Sequence, residues 1–278
     1  MNYILFDDHS RNHLLPLTFT RPVADIRVGI TTIREKWEKF LRVKTSTLTE
    51  SYLTVKYPIK KEKNTILING SILPDAEMVK QIKTLKVNET LVCEEKIIAQ
   101  HMDVSELENS SELGKVSRIK YEGEKPVTKI EYPWEIFSKN GEILESDFNL
   151  LTRRRKSQKL DSSNTVLGKG KIFIEKGAKV FGATLNTTNG PIYIGHNAEV
   201  MEGSLIRGPF ALCKNATVKM SAKIYGPTTI GPHCKVGGEI NNVVFLGHTN
   251  KAHDGFLGNS VIGEWCNLGA DTNSSNLK

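Results

Sequence analysis

The sequence predicts two architectures in one chain: an α/β half followed by a β-helix. Three observations lead there. Short apolar runs alternate with helical periodicity over roughly the first 150 residues. A polar stretch without an apolar period, Ser157 to Asn164, then interrupts the chain. Beyond it an aliphatic residue recurs every six positions. We place the α/β domain over residues 1–156 and the β-helix over residues 165–278.

The elements of the first half follow in order. Tyr3-Ile4-Leu5-Phe6 reads as a short buried strand. Thr31 to Leu41 reads as a helix, with Ile33, Trp37, Phe40 and Leu41 at offsets of four, seven and eight. Thr65-Ile66-Leu67-Ile68 is a second apolar run, closed by Asn69-Gly70. Pro74-Asp75 opens a helix with Val79, Ile82 and Leu85 on one face, and Leu91-Val92-Cys93 reads as the next strand. Strand, helix, strand is the grammar of a parallel sheet. Ligands of such sheets sit beyond the carboxyl ends of the strands. Here those ends are Asp7-Asp8 and Asn69-Gly70-Ser71.

In the second half Ile194, Val200, Ile206, Leu212, Val218, Ile224, Ile230 and Val236 keep phase over 43 positions. Each hexad supplies one short strand and one corner, and three make a coil. Ile194, Leu212 and Ile230 are expected to form one inward column. Val200, Val218 and Val236 form the second, and Ile206 with Ile224 the third. Coils bond backbone to backbone about 4.8 Å apart. A shifted run, Val244, Phe256, Ile262 and Leu268, implies extra residues after Val236. The chain ends soon after a good hexad with no capping helix, so we expect it to be part of a longer protein, truncated within its β-helix.

Composition narrows the function. With 38% hydrophobic and 25% charged residues the chain is not broadly disordered. It holds no apolar run long enough for a membrane span. Its start, Met1 to Asp8, meets two acids at once and does not resemble a signal peptide, so a cytoplasmic location is expected. Cys93, Cys213, Cys234 and Cys266 are too scattered for a zinc or redox motif. The net charge of +7 favours anionic ligands such as phosphates. Basic residues do not interleave with aromatics, so no nucleic-acid partner is expected. The run Arg153-Arg154-Arg155-Lys156 reads as a solvated helix end.

Lys251 to Asn276 carry a resemblance. Lys251-Ala252-His253-Asp254-Gly255-Phe256-Leu257-Gly258, then Ile262-Gly263, then Asn267-Leu268-Gly269-Ala270, resembles the bifunctional glucosamine-1-phosphate acetyltransferase / N-acetylglucosamine-1-phosphate uridyltransferase family. That family joins a nucleotidyltransferase domain to a left-handed β-helix, the order seen here. The resemblance implies a homotrimer acting on a small sugar phosphate, with acetyl-CoA as acyl donor and Mg2+ beside a nucleoside triphosphate. It places His253 as general base, an imidazole suiting a task near neutral pH. Asn267 and Asn276 fall at sugar- or acyl-positioning places, Ala270 at a small residue lining the same site, and Lys214 where the family has an arginine. A histidine on such a loop also serves simply as a solvated residue, and corner asparagines serve the backbone.

The first half departs from the family. No glycine-rich phosphate loop follows the first strand. Ser71 occupies the place of the magnesium-binding aspartate, and Phe256 replaces a tyrosine. Arg11, Arg21 and Arg27 remain as phosphate contacts, unless they pair with Asp7, Asp8 and Asp25. The reading is a transferase of nucleotide-sugar synthesis. Two alternatives stay open: a hexose-1-phosphate nucleotidyltransferase whose β-helix only assembles trimers, and a degenerate sugar-nucleotide-binding scaffold.

Overall fold

The computed structural model describes residues 1–103 and 117–274. The chain divides into two compact units. One comprises Met1–Ile26 and Thr32–Tyr132, the other Arg27–Thr31 and Pro133–Lys278.

The first unit is built on a six-stranded sheet of β1 (Asn2–Phe6), β2 (Ser46–Leu48), β3 (Asn64–Asn69), β4 (Glu89–Cys93), β5 (Lys96–Asp103) and β6 (Ser117–Lys120). Their order is β2-β1-β3-β5-β4-β6. β1 lies parallel to both β2 and β3, with Phe6 opposite Asn69. The continuous apolar runs in β1 and β3 are explained by burial on both faces. The sheet is mixed rather than parallel throughout, because β5 pairs antiparallel with both β3 and β4. Only Glu94 and Glu95 connect Cys93 to its partner Lys96. A connection so short closes a hairpin and cannot make a parallel crossover.

Helix α1 (Ile33–Leu41) starts at a capping box, with Thr32 Oγ1 accepting from Glu35 N at 3.1 Å. Glu35 Oε2 accepts in turn from Thr32 N at 2.8 Å. The helix buries Ile33, Trp37 and Leu41, and the Trp37 indole donates to Ile72 O at 2.8 Å. Helix α2 (Ala76–Thr84) is capped by Asp75, whose carboxylate accepts from Met78 N at 2.7 Å.

The second unit is a parallel β-solenoid of about five turns. Ile194, Leu212 and Ile230 are in register, as are Val200, Val218 and Val236, and Ile206 with Ile224. All eight belong to one buried cluster. Column partners in the middle coils lie eighteen residues apart, as Leu212 and Ile230 do, whereas twenty separate Ile174 from Ile194 and only fifteen separate Ile230 from Phe245.

The phase shift after Val236 is thus a shortened coil, not the insertion expected from the spacing. In earlier coils Lys223–Tyr225 and Thr228–Ile230 are separate strands, whereas Glu239–Phe245 runs through both columns as one strand. Asn242, at φ 55°, takes the corner between them. Phe245 and Leu257 therefore point into the core, one position beyond the expected Val244 and Phe256. Lys251 continues the column of Val218 and Val236. Its ammonium donates to the carbonyls of His253 at 2.8 Å and of Gly237 and Asp254 at 3.3 Å. Burial lowers its pKa, partly countered by Asp254 and Asp271.

Helices α3 (Pro133–Ser138) and α4 (Asn140–Thr152) belong to this unit. Leu144 and Phe148 of α4 pack with Ile30 on Phe173, Tyr193, Ala211 and Cys213. From the basic run, Arg155 forks onto Glu175 at 2.7 and 2.6 Å.

Candidate functional site

The parallel register of β1 and β3 sets their carboxyl ends side by side. Gly70 N donates to Phe6 O at 2.8 Å, and a Cβ on Gly70 would meet that oxygen at 3.1 Å. Asp7, Asp8, Asn69 and Ser71 are thereby gathered at one edge of the sheet.

The Asp7 side chain is 5% exposed and structural in its contacts. It accepts from Val23 N at 2.8 Å, Thr49 Oγ1 at 2.5 Å and Arg11 Nη1 at 3.0 Å. Burial raises its pKa despite these donors. Asp8 takes the opposite shift. Burial pushes its pKa up, but hydrogen bonds from Asn69 and Lys129 and the Lys129 charge outweigh that and hold it low. Asp8 Oδ2 lies 2.9 Å from Lys129 Nζ and accepts from Asn69 Nδ2 at 3.0 Å. Its Oδ1 accepts from Ser10 N at 3.0 Å.

Lys129 is buried, at 6% side-chain exposure, and sits 3.7 Å from Glu131 Oε2. His9 Nε2 lies 3.3 Å from its ammonium and 2.9 Å from Glu131 Oε1. His13 Nδ1 is 3.5 Å from the same Glu131 oxygen, and its ring stacks on Tyr132 at 4.8 Å. The cluster thus runs from buried Lys129 to His9, 65% exposed. It brings both charges and exchangeable protons to the place where a parallel pair of strands presents ligands.

The expected phosphate contacts lie as follows. Arg11 is spent within the fold: besides Asp7 it donates to Thr18 O and Tyr52 OH, both at 2.7 Å, and to Arg21 O at 3.2 Å. Arg21 is buried and its Nη2 donates to Thr20 Oγ1 at 3.4 Å. Arg27 lies in the second unit and donates to Leu246 O at 3.2 Å and to Ile30 O. Asp25 pairs with Arg34 at 2.8 Å instead.

In the solenoid, His253 is exposed and its ring makes no hydrogen bond among the described residues. Asn250 pairs with Asn267 across adjacent coils, so His253 and Ala270 also fall one coil apart. Asn267 Oδ1 accepts from Asn250 Nδ2 at 2.8 Å, which is a corner contact. Lys214 is exposed beside Asn215, at the corner carrying His233, three coils before Trp265. Within one chain it does not join His253. Asn276 lies outside the described residues.

The Mg2+ expected beside a triphosphate does not fit the residues at the strand ends. Asp8 accepts from three donors, and Asn69 Oδ1 accepts from Ser71 N at 3.0 Å and Ser71 Oγ at 2.6 Å. Among the described residues no group of three His, Cys, Asp or Glu is placed to hold a metal. Sequence reasoning missed Lys129, Glu131, His9 and His13. The two histidines are adjacent to a strand end already singled out, but Lys129 and Glu131 follow no local pattern.

No curated protein matches this chain. Residues 3–156, more than half of it, match the family described as sugar nucleotidyl transferase. A strand-end cluster of acids, a lysine and histidines, within the matched segment, agrees with phosphate chemistry, and the chain belongs to the sugar nucleotidyl transferase family.

Proposed function

We propose that the chain transfers a nucleotidyl group to a hexose- or hexosamine-1-phosphate at the carboxyl ends of β1 and β3. The observation that carries this reading is the Asp8–Lys129–Glu131 cluster with its exposed His9, in a chain of this family. In the reaction a phosphate oxygen of the sugar attacks the α-phosphorus of a nucleoside triphosphate, and pyrophosphate leaves. Such transfer asks the protein mainly for positioning and charge. Asn69 and Ser10 orient Asp8, and Asp8 orients Lys129.

The test is pyrophosphate release from each nucleoside triphosphate with glucose-1-phosphate or N-acetylglucosamine-1-phosphate. One pair is expected to turn over, and Asp8→Asn to slow it by about tenfold or more, as loss of a charge-assisted contact does. No turnover with any pair, or equal turnover in Asp8→Asn, contradicts the reading.

A second activity is supported by one observation: His253 and Ala270 on adjacent coils, with the His253 corner tied to Lys251. In this reading the solenoid is a left-handed β-helix that assembles as a homotrimer. His253 takes a proton from a hexosamine amine as the amine attacks the thioester of acetyl-CoA; the amide C–N bond forms, the C–S bond breaks, and coenzyme A leaves as its thiol with that proton. Acetyl transfer to glucosamine-1-phosphate is the assay.

A further inference from the structure

We infer that the Lys129 ammonium is the cation of the phosphate site, so that the chain binds a sugar nucleotide without a divalent metal ion. The inference rests on the nucleotidyl-transfer reading and deepens it.

Backbone structure fixes the position of Lys129. Its segment runs beside the end of β3, with Ile72 and Lys129 paired antiparallel. Leu73 N donates to Thr128 O at 3.0 Å, and Ile130 N to Ser71 O at 2.8 Å. These bonds deliver the ammonium to Asp8 Oδ2, 2.9 Å away, between the ends of the two parallel strands.

The neighbouring oxygens are committed to hydrogen-bond donors. Magnesium asks for near-octahedral oxygen ligands at about 2.0–2.1 Å. Asp8 instead receives Ser10 N–H, an Asn69 amide hydrogen and the ammonium. The Asn69 carbonyl receives two donors from Ser71. A metal ion on Asp8 Oδ2 or on the Asn69 carbonyl would have to displace these donors, and the ammonium beside it would repel it.

A phosphate reaches the ammonium past His9 and His13, the exposed members of the cluster. There it competes for the ammonium with Glu131, which at 3.7 Å is held more loosely than Asp8.

The experiment is isothermal titration of the full chain with UDP-, ADP-, GDP-, CDP- and dTDP-glucose, each in EDTA and in magnesium chloride. At least one is expected to bind with the same dissociation constant in both buffers. Lys129→Met is expected to weaken that binding by about ten- to a hundredfold, the loss typical of a charged hydrogen bond. Thermal melting confirms that the variant is folded, and the two-buffer comparison on the parent stands even if it is not. Binding that requires magnesium, or a folded Lys129→Met that binds like the parent, overturns the inference and leaves nucleotidyl transfer standing. Failure of all five to bind in either buffer overturns both.

Discussion

Asp147→Ala tests how the short segment Arg27–Thr31 is held in the solenoid unit. Asp147 is buried, and its Oδ2 accepts from Ile30 N at 2.8 Å, Thr31 N at 3.1 Å and Thr31 Oγ1 at 3.3 Å. Truncation leaves two buried backbone donors without this acceptor, at about 1–3 kcal/mol each. Relief of a buried carboxylate offsets part of that, so a loss of about 2–4 kcal/mol is expected. Urea unfolding followed by circular dichroism should show a lower midpoint at unchanged slope. Asp147→Asn keeps one oxygen acceptor and should lose less. Gly29→Ala strikes the same place, since its Cβ would meet Asp147 Oδ2 and Ile143 Cγ2, both at 2.7 Å, at φ +70°. Combined with Asp147→Ala it should cost less than the sum, because one clash is gone. An Asp147→Ala protein within about 0.5 kcal/mol of the parent would refute the reasoning.

Ile206→Asp puts a carboxylate between Leu185 and Ile224 in the solenoid column and should cost several kcal/mol in chemical denaturation. For Asp8 the folded pKa lies below the ordinary 3.8, so its stabilisation is present above that value and is lost as pH falls through the folded pKa. The stability difference between parent and Asp8→Asn should therefore shrink on acidification, as read by melting at a series of pH values. His253→Ala should slow acetyl transfer to glucosamine-1-phosphate by about 10²–10⁴-fold while leaving melting unchanged. Equal acetyl-transfer rates would retire His253 as the base.

What the sequence made legible was periodic. β1 and β3 are apolar throughout because both faces are buried, and their ends carry Asp7, Asp8 and Asn69 as expected. The columns through Ile194, Val200 and Ile206 follow from spacing alone. Pairings set by distant segments left no such trace. Lys129 reaches Asp8 from a remote part of the chain. The direction of β5 depends on a two-residue turn rather than on hydrophobic pattern. Lys251 breaks the aliphatic series, so its place in the column is hidden by its own charge. Arg11 reads as a phosphate contact from its type and position, but its donors face Asp7, Thr18 and Tyr52.

The most direct test of the strand-end site is hydrogen exchange of the full chain with and without a saturating nucleotide-glucose from the titration set. Protection is predicted at Asp7–Arg11, at Asn69–Ile72 and across Thr128–Tyr132, the three segments that meet around Lys129. Protection confined to the solenoid coils around His253, with these three segments unchanged, would contradict it.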